Sequence, residues 1–225
     1  MNGGAPQLVV LADPPAVASL AAELVLAAVD RALAERGGRA DIALAGGTTP
    51  GLLYDELTAQ RPDWTGVHLW IGDERCVPHD HPDSNVRFVR ERLPAPGAVL
   101  HAPPPDGTPE ERALAYSFQL KDYVLDLVLL GLGEDAHTAS LFPDNPAIDD
   151  ERTVVPVHDA PKPPPDRTSL GLGVLTAAKA RILLVTGAGK RDALKLALGE
   201  PSHHAPSSLL PAIGTTVLAD RDAHS

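Results

Sequence analysis

Cysteine is nearly absent: Cys76 is the only one in 225 residues. One thiol excludes an internal disulfide framework and fits a reducing compartment. Positive charge is also scarce. The chain has 19 Lys and Arg against 30 Asp and Glu, giving a net charge of −11 and a pI near 5.1. Such a surface repels nucleic acid and anionic membranes, so neither is expected as a partner. An anionic small molecule would then need a local basic pocket. No apolar run is long enough to span a bilayer. The longest, over residues 16–29, contains Glu23 and reads as an amphipathic helix. Met1-Asn2-Gly3-Gly4 has no basic leader region, so a cytoplasmic protein is expected. What is present, 44% hydrophobic and 22% charged residues, excludes wholesale disorder. The length suits one α/β domain over residues 1–225.

Apolar runs at 8–11, 42–44, 67–71, 126–130, 154–157, 169–172, 181–186 and 215–218 read as strands. Between them lie helical stretches. Asp13-Pro14 starts one that stops at Gly37-Gly38, Pro50 opens a second, and residues 83–92 form a third. Thr108-Pro109-Glu110-Glu111 has capping-box spacing and begins a helix through residue 120. A short helix is expected over 138–142, and another runs from Lys190 to residue 198. Residues 94–107 are rich in proline and glycine and read as loop around one short strand near Val99. This alternation predicts an α/β fold: a mainly parallel sheet flanked by helices on both faces. The 23 prolines collect in loops and stiffen them.

In open α/β sheets ligands bind at the carboxyl ends of strands, and four such ends carry unusual residues. Ala45-Gly46-Gly47-Thr48-Thr49-Pro50 combines glycines, hydroxyls and a helix start, which suits a phosphate and equally a plain tight turn. Gly72-Asp73-Glu74-Arg75-Cys76 puts three charges directly after an apolar strand, so at least one must turn inward. Arg75 can fork onto an anion with a carboxylate holding it, or form an internal ion pair that merely fixes the loop. Cys76 reads as a filler. Gly131-Leu132-Gly133-Glu134-Asp135-Ala136 formally matches a dinucleotide loop, but its short helix and missing acidic partner set that aside. Asp135 and His137 stand out instead. A histidine at a helix N-terminus is disfavoured from protonation and can act as a base, while Asp135 pulls the other way. Gly187-Ala188-Gly189-Lys190 is no Walker loop, yet it can present Lys190 to an anion. Lys162 and Arg167 flank a stiff proline run and either project over the same site or serve solubility. His79/His81 and His203/His204 complete no metal set and read as surface.

Together these segments resemble the 6-phosphogluconolactonases. The resemblance rests on residues 45–50, on 72–78 with Asp83-Ser84-Asn85, and on 126–143, followed in order by 162–167 and 187–190. It implies a fold shared with glucosamine-6-phosphate deaminases, no metal and no cofactor. It also implies hydrolysis of a small sugar-phosphate lactone, 6-phospho-D-glucono-1,5-lactone, in the pentose phosphate pathway. Ala136 stands where that family usually has glycine, which strains the chain by about 1–2 kcal/mol if the position needs positive φ. The expected roles follow. His137 is the base and Asp135 orients it or a sugar hydroxyl, while Gly46, Gly47, Thr48, Asp73, Arg75, Arg167 and Lys190 bind substrate and its phosphate. Two other readings stay open: a sugar-phosphate-binding module without catalysis, and a deaminase-like isomerase. The latter family usually has Asn-Glu-Pro where Leu141-Phe142-Pro143 stands here. The sequence leaves the oligomeric state open, a monomer included.

Overall fold

The computed structural model describes residues 6–225. The elements run β1 (Gln7–Leu11), α1 (Pro14–Glu35), β2 (Ala40–Leu44), α2 (Thr48–Gln60), β3 (Val67–Ile71), β4 (Asp73–Arg75), α3 (Asn85–Arg92), β5 (Val99–His101) and α4 (Pro109–Leu120). They continue with β6 (Leu127–Gly131), β7 (Val154–Val157), β8 (Arg167–Leu170), α5 (Leu172–Ala177), β9 (Arg181–Val185), α6 (Arg191–Ala197), β10 (Thr215–Asp220) and α7 (Arg221–His224). Local chemistry sets several boundaries. Asp13 caps α1 by accepting from the Ala16 N–H, and Thr108 with Glu111 forms the expected capping box of α4.

Seven strands form a parallel sheet in the order β1-β10-β9-β6-β2-β3-β5. Its central strands are buried on both faces, which is why they read as continuous apolar runs rather than alternating ones. Successive residues serve opposite faces. Ile42, Leu44, Leu69, Leu127, Leu129 and Ile182 pack with α1, α2 and α3, while Ala43, Trp70, Val128, Leu130 and Leu183 pack with α4, α6 and α7.

Three expectations are corrected. Asp73–Arg75 is not a polar loop but strand β4, which pairs antiparallel with β8. Strands β7 and β8 do not join the parallel sheet; with β4 they make a separate antiparallel sheet in the order β4-β8-β7. Residues 138–142 do not form a helix. Ala136 and Ala139 have φ of 63° and 48°, which no right-handed helix accommodates, and Thr138 and Leu141 close a tight turn by a β-bridge.

Candidate active site

Strand order explains why segments far apart in the chain meet. β9, β6, β2 and β3 are neighbours at the middle of the sheet, and the four unusual segments follow those four strands. The chain leaves β2 for one edge and returns to β6 beside it, so a crevice opens where the connections diverge. There lies a hollow of about 330 Å³ lined by Gly46, Gly47, Asp73, Arg75, Asn85, Gly133, His137, Phe142, Lys162, Arg167 and Lys190, among others.

Gly46 leaves no room for a side chain while Asn85 keeps its place: a Cβ there would sit 2.0 Å from Asn85 Oδ1. Gly47 has φ 113° and starts α2 with no side chain capping its free N–H groups. Thr48 is exposed and does not line the hollow. Its neighbour Thr49 instead shares a 2.6 Å hydroxyl–hydroxyl hydrogen bond with Thr186, tying the first segment to the fourth.

In β4 the two-residue period sorts the charges. Asp73 and Arg75 face the hollow while Glu74 is turned into the protein, fully buried. The Glu74 carboxylate accepts from the Ser84 hydroxyl and from the backbone N–H groups of Arg75, Asn85 and Val86, each at 2.8 Å, so it holds the start of α3. Arg75 donates Nη1 to the Asp83 carbonyl, its Nε is buried without a partner, and no carboxylate pairs with it among the described residues. The internal Asp–Arg pair is therefore not what the loop contains. Arg75 lies directly across the β4–β8 ladder from Arg167. Like charges opposite one another are unfavourable unless an anion lies between them. Arg167 donates to the carbonyls of Pro164 (3.1 Å) and Lys162 (2.7 Å), which holds the proline loop over the hollow, and its guanidinium lies 5.4 Å from the Phe142 ring centre. Burial and the Arg75 charge push the Arg167 guanidinium below its ordinary pKa against the pull of Asp73.

His137 projects from the turn that Ala136 begins. Its Nδ1 is 2.5 Å from Asp135 Oδ1, and its ring packs on Phe142 with centres 4.5 Å apart. Nε2 is thus the ring nitrogen without a protein partner among the described residues. Burial pushes the Asp135 carboxyl up, but hydrogen bonds and charge from His137 outweigh it and bring it down to about 2. Because no helix starts here, the helix-terminus field expected at His137 is missing, and the Asp135 carboxylate and the Phe142 ring orient the imidazole. The backbone must pass close by: a Cβ at Gly133 would lie 2.0 Å from His137 Nδ1. Lys190 enters from the far side on a turn whose Gly187 N–H is held by both oxygens of Asp220 at 3.0 Å. Burial lowers its pKa, opposed by Glu134.

Of the residues singled out from sequence, all but Thr48 and Asp135 line the hollow, and Asp135 touches it through His137. Asn85 and Phe142 line the hollow without a sequence signal for it, and Lys162, whose sequence allows either role, lines it too. Phe142 gave no signal beyond ending a supposed helix. Asn85 stands in the sequence only as the end of Asp83-Ser84-Asn85, with no role attached to its side chain.

The chain belongs to the family described as glucosamine-6-phosphate isomerases/6-phosphogluconolactonase, whose model matches residues 12–218. Within it, a 6-phosphogluconolactonase from Nostoc sp. is 38% identical over 199 residues, 82% of each chain. The crystal structure of a 6-phosphogluconolactonase from Shewanella baltica superposes with a TM-score of 0.87 at 25% identity, covering 96% of this chain and 100% of that one. A monomeric glucosamine-6-phosphate deaminase shares the fold, with a TM-score of 0.84 at 21% identity over 96% of this chain and 98% of its own.

Proposed function

We propose that this protein hydrolyses 6-phospho-D-glucono-1,5-lactone to 6-phosphogluconate in the pentose phosphate pathway. The observation that carries this reading is one hollow holding a carboxylate-oriented imidazole and, across a strand pair, two arginines that form no ion pair among the described residues. A base and an anion cradle together match a phosphorylated ester. In the proposed reaction, His137 Nε2 takes a proton from water as its oxygen bonds to the lactone carbonyl carbon. The tetrahedral adduct then collapses, the bond from that carbon to the ring oxygen breaks, and the imidazolium returns its proton to that oxygen. Asp135 holds the ring throughout. Arg75, Arg167 and Lys190 bind the phosphate, so binding energy remote from the reacting carbon positions it. Gly46 and Gly47 give the substrate room and N–H groups.

On this reading the protein acts in the cytoplasm on a diffusible sugar phosphate, with no nucleic acid, membrane or cofactor. A single chain suffices, since every group named comes from one chain. The test is lactone hydrolysis coupled to 6-phosphogluconate dehydrogenase, corrected for spontaneous opening. His137→Gln is expected to lower kcat by about 10²-fold or more. Near-normal turnover in that variant would remove the base. Wild-type protein that binds 6-phosphogluconate but turns over no lactone would leave a sensing module instead.

A further inference from the structure

Behind the hollow is a contact that the reaction above does not use. Asp73 is almost fully buried, lines the hollow among cationic side chains, and forms no ion pair among the described residues. Its Oδ2 accepts the Ser140 hydroxyl at 2.6 Å, and its Oδ1 receives only a long 3.4 Å approach from Asn85 Nδ2, which mainly serves the Asp73 carbonyl at 2.7 Å. Ser140 is completely buried, and its own N–H is held at 3.3 Å by the hydroxyl of Ser169, the residue opposite Asp73 in the β4–β8 ladder. Ser140 also lies three positions after His137, on the same tight turn.

A carboxylate repels a phosphate, so Asp73 is not a phosphate contact; its free lone pairs suit a hydroxyl donor. We infer that Ser140 is a positioning residue. By bonding Oδ2 it turns Oδ1 of Asp73 toward the ring hydroxyls of the sugar, and it locks that acceptor in register with the His137 turn. The substrate class this specifies is a polyhydroxylated anion, with its hydroxyls read at Asp73 and its charge read at Arg75 and Arg167. The inference rests on the lactonase reading for its substrate, and its test separates the two.

The measurement compares kcat/KM for the phospholactone and for its monodeoxy analogues, together with inhibition by inorganic phosphate, which reads the cations alone. Ser140→Ala should lower kcat/KM for the parent lactone about tenfold or more, mainly through KM. It should lower that for the deoxy analogue lacking the recognised hydroxyl by no more than twofold, and leave phosphate inhibition within twofold of wild type. Ser140→Cys, which keeps the shape with a weaker donor, should fall between, and it serves if the alanine protein does not fold. Equal losses for every lactone with weakened phosphate inhibition would mean general loss of structure and overturn the inference. So would unchanged selectivity. If the wild-type chain turns over no lactone, the proposed function fails by itself. The Ser140 inference is then read from calorimetry, where the variant should weaken 6-phosphogluconate relative to inorganic phosphate, and an unchanged ratio overturns it.

Discussion

Ala136 is fully buried at φ 63°, in the left-handed region that an L side chain enters at a cost of about 1–2 kcal/mol. Its carbonyl accepts the Ser207 N–H at 3.1 Å and its N–H donates to the Gly133 carbonyl, so the conformation is fixed from both sides. Ala136→Gly removes the strain but adds freedom to the unfolded chain. The expected net gain is about 0.5–1 kcal/mol, read as a higher urea midpoint with lactonase activity retained. A lower midpoint would show that the methyl group packs better than the strain costs. A second contrast tests the anion cradle. Lys190 lines the hollow and Thr48 is exposed outside it. Lys190→Ala should raise KM about tenfold or more with little change in kcat, whereas Thr48→Ala should leave both within twofold. Steady-state kinetics on the phospholactone decide it.

Among the elements, the edge of the large sheet carries a pH response of its own. His68 in β3 and His101 in β5 share a 2.8 Å ring nitrogen contact, and His101 stacks on Trp70 with centres 3.9 Å apart. Burial lowers the pKa of both; the Arg39 charge adds to this at His68, and the charge of His68 adds to it at His101. A histidine whose folded pKa is depressed binds fewer protons than in the unfolded chain. Its contribution is therefore whole above about pH 6.5 and lost as pH falls through the folded value. Urea midpoints should drop between pH 7 and pH 5, and His101→Gln should flatten that drop while lowering the plateau through loss of the stack. A variant with the wild-type slope would place the response elsewhere. Strand β4 shows why elements are harder to read than residues. Its three residues gave no alternation long enough to register as a strand, and it exists because β8 pairs with it and α3 is pinned to Glu74. The 138–142 turn departs from the expected helix for the opposite reason. Its local composition favours a helix, but Ala136, Ala139 and the buried Ser140–Asp73 bond impose another path.

For the molecule as a whole, the net charge of −11 coexists with a hollow lined by Arg75, Arg167, Lys162 and Lys190. Self-repulsion of the acidic surface is long-ranged and screened by salt, whereas the cradle acts at contact distance. Raising NaCl from 10 to 200 mM should lift Tm by roughly 1–3 °C while weakening inhibition by inorganic phosphate. A Tm that falls with salt would mean that surface ion pairs, such as Arg61–Asp30 and Arg92–Asp55, outweigh the repulsion. No helix among the described residues is long and apolar enough to cross a membrane.

The amino-acid order alone established the α/β class, the apolar runs that become strands and the residue types at the four strand ends. Hydrophobic period, capping residues and glycines act over a few positions and are written directly into the chain. Whether Arg75 paired internally or faced a ligand, which of three consecutive charges turned inward, and whether Thr48 reached the hollow all waited on the fold. Those outcomes depend on which strands become neighbours and on contacts between residues tens of positions apart, such as Arg75 with Arg167 and Ser140 with Asp73. No local pattern encodes such pairings, because they arise only when the sheet assembles.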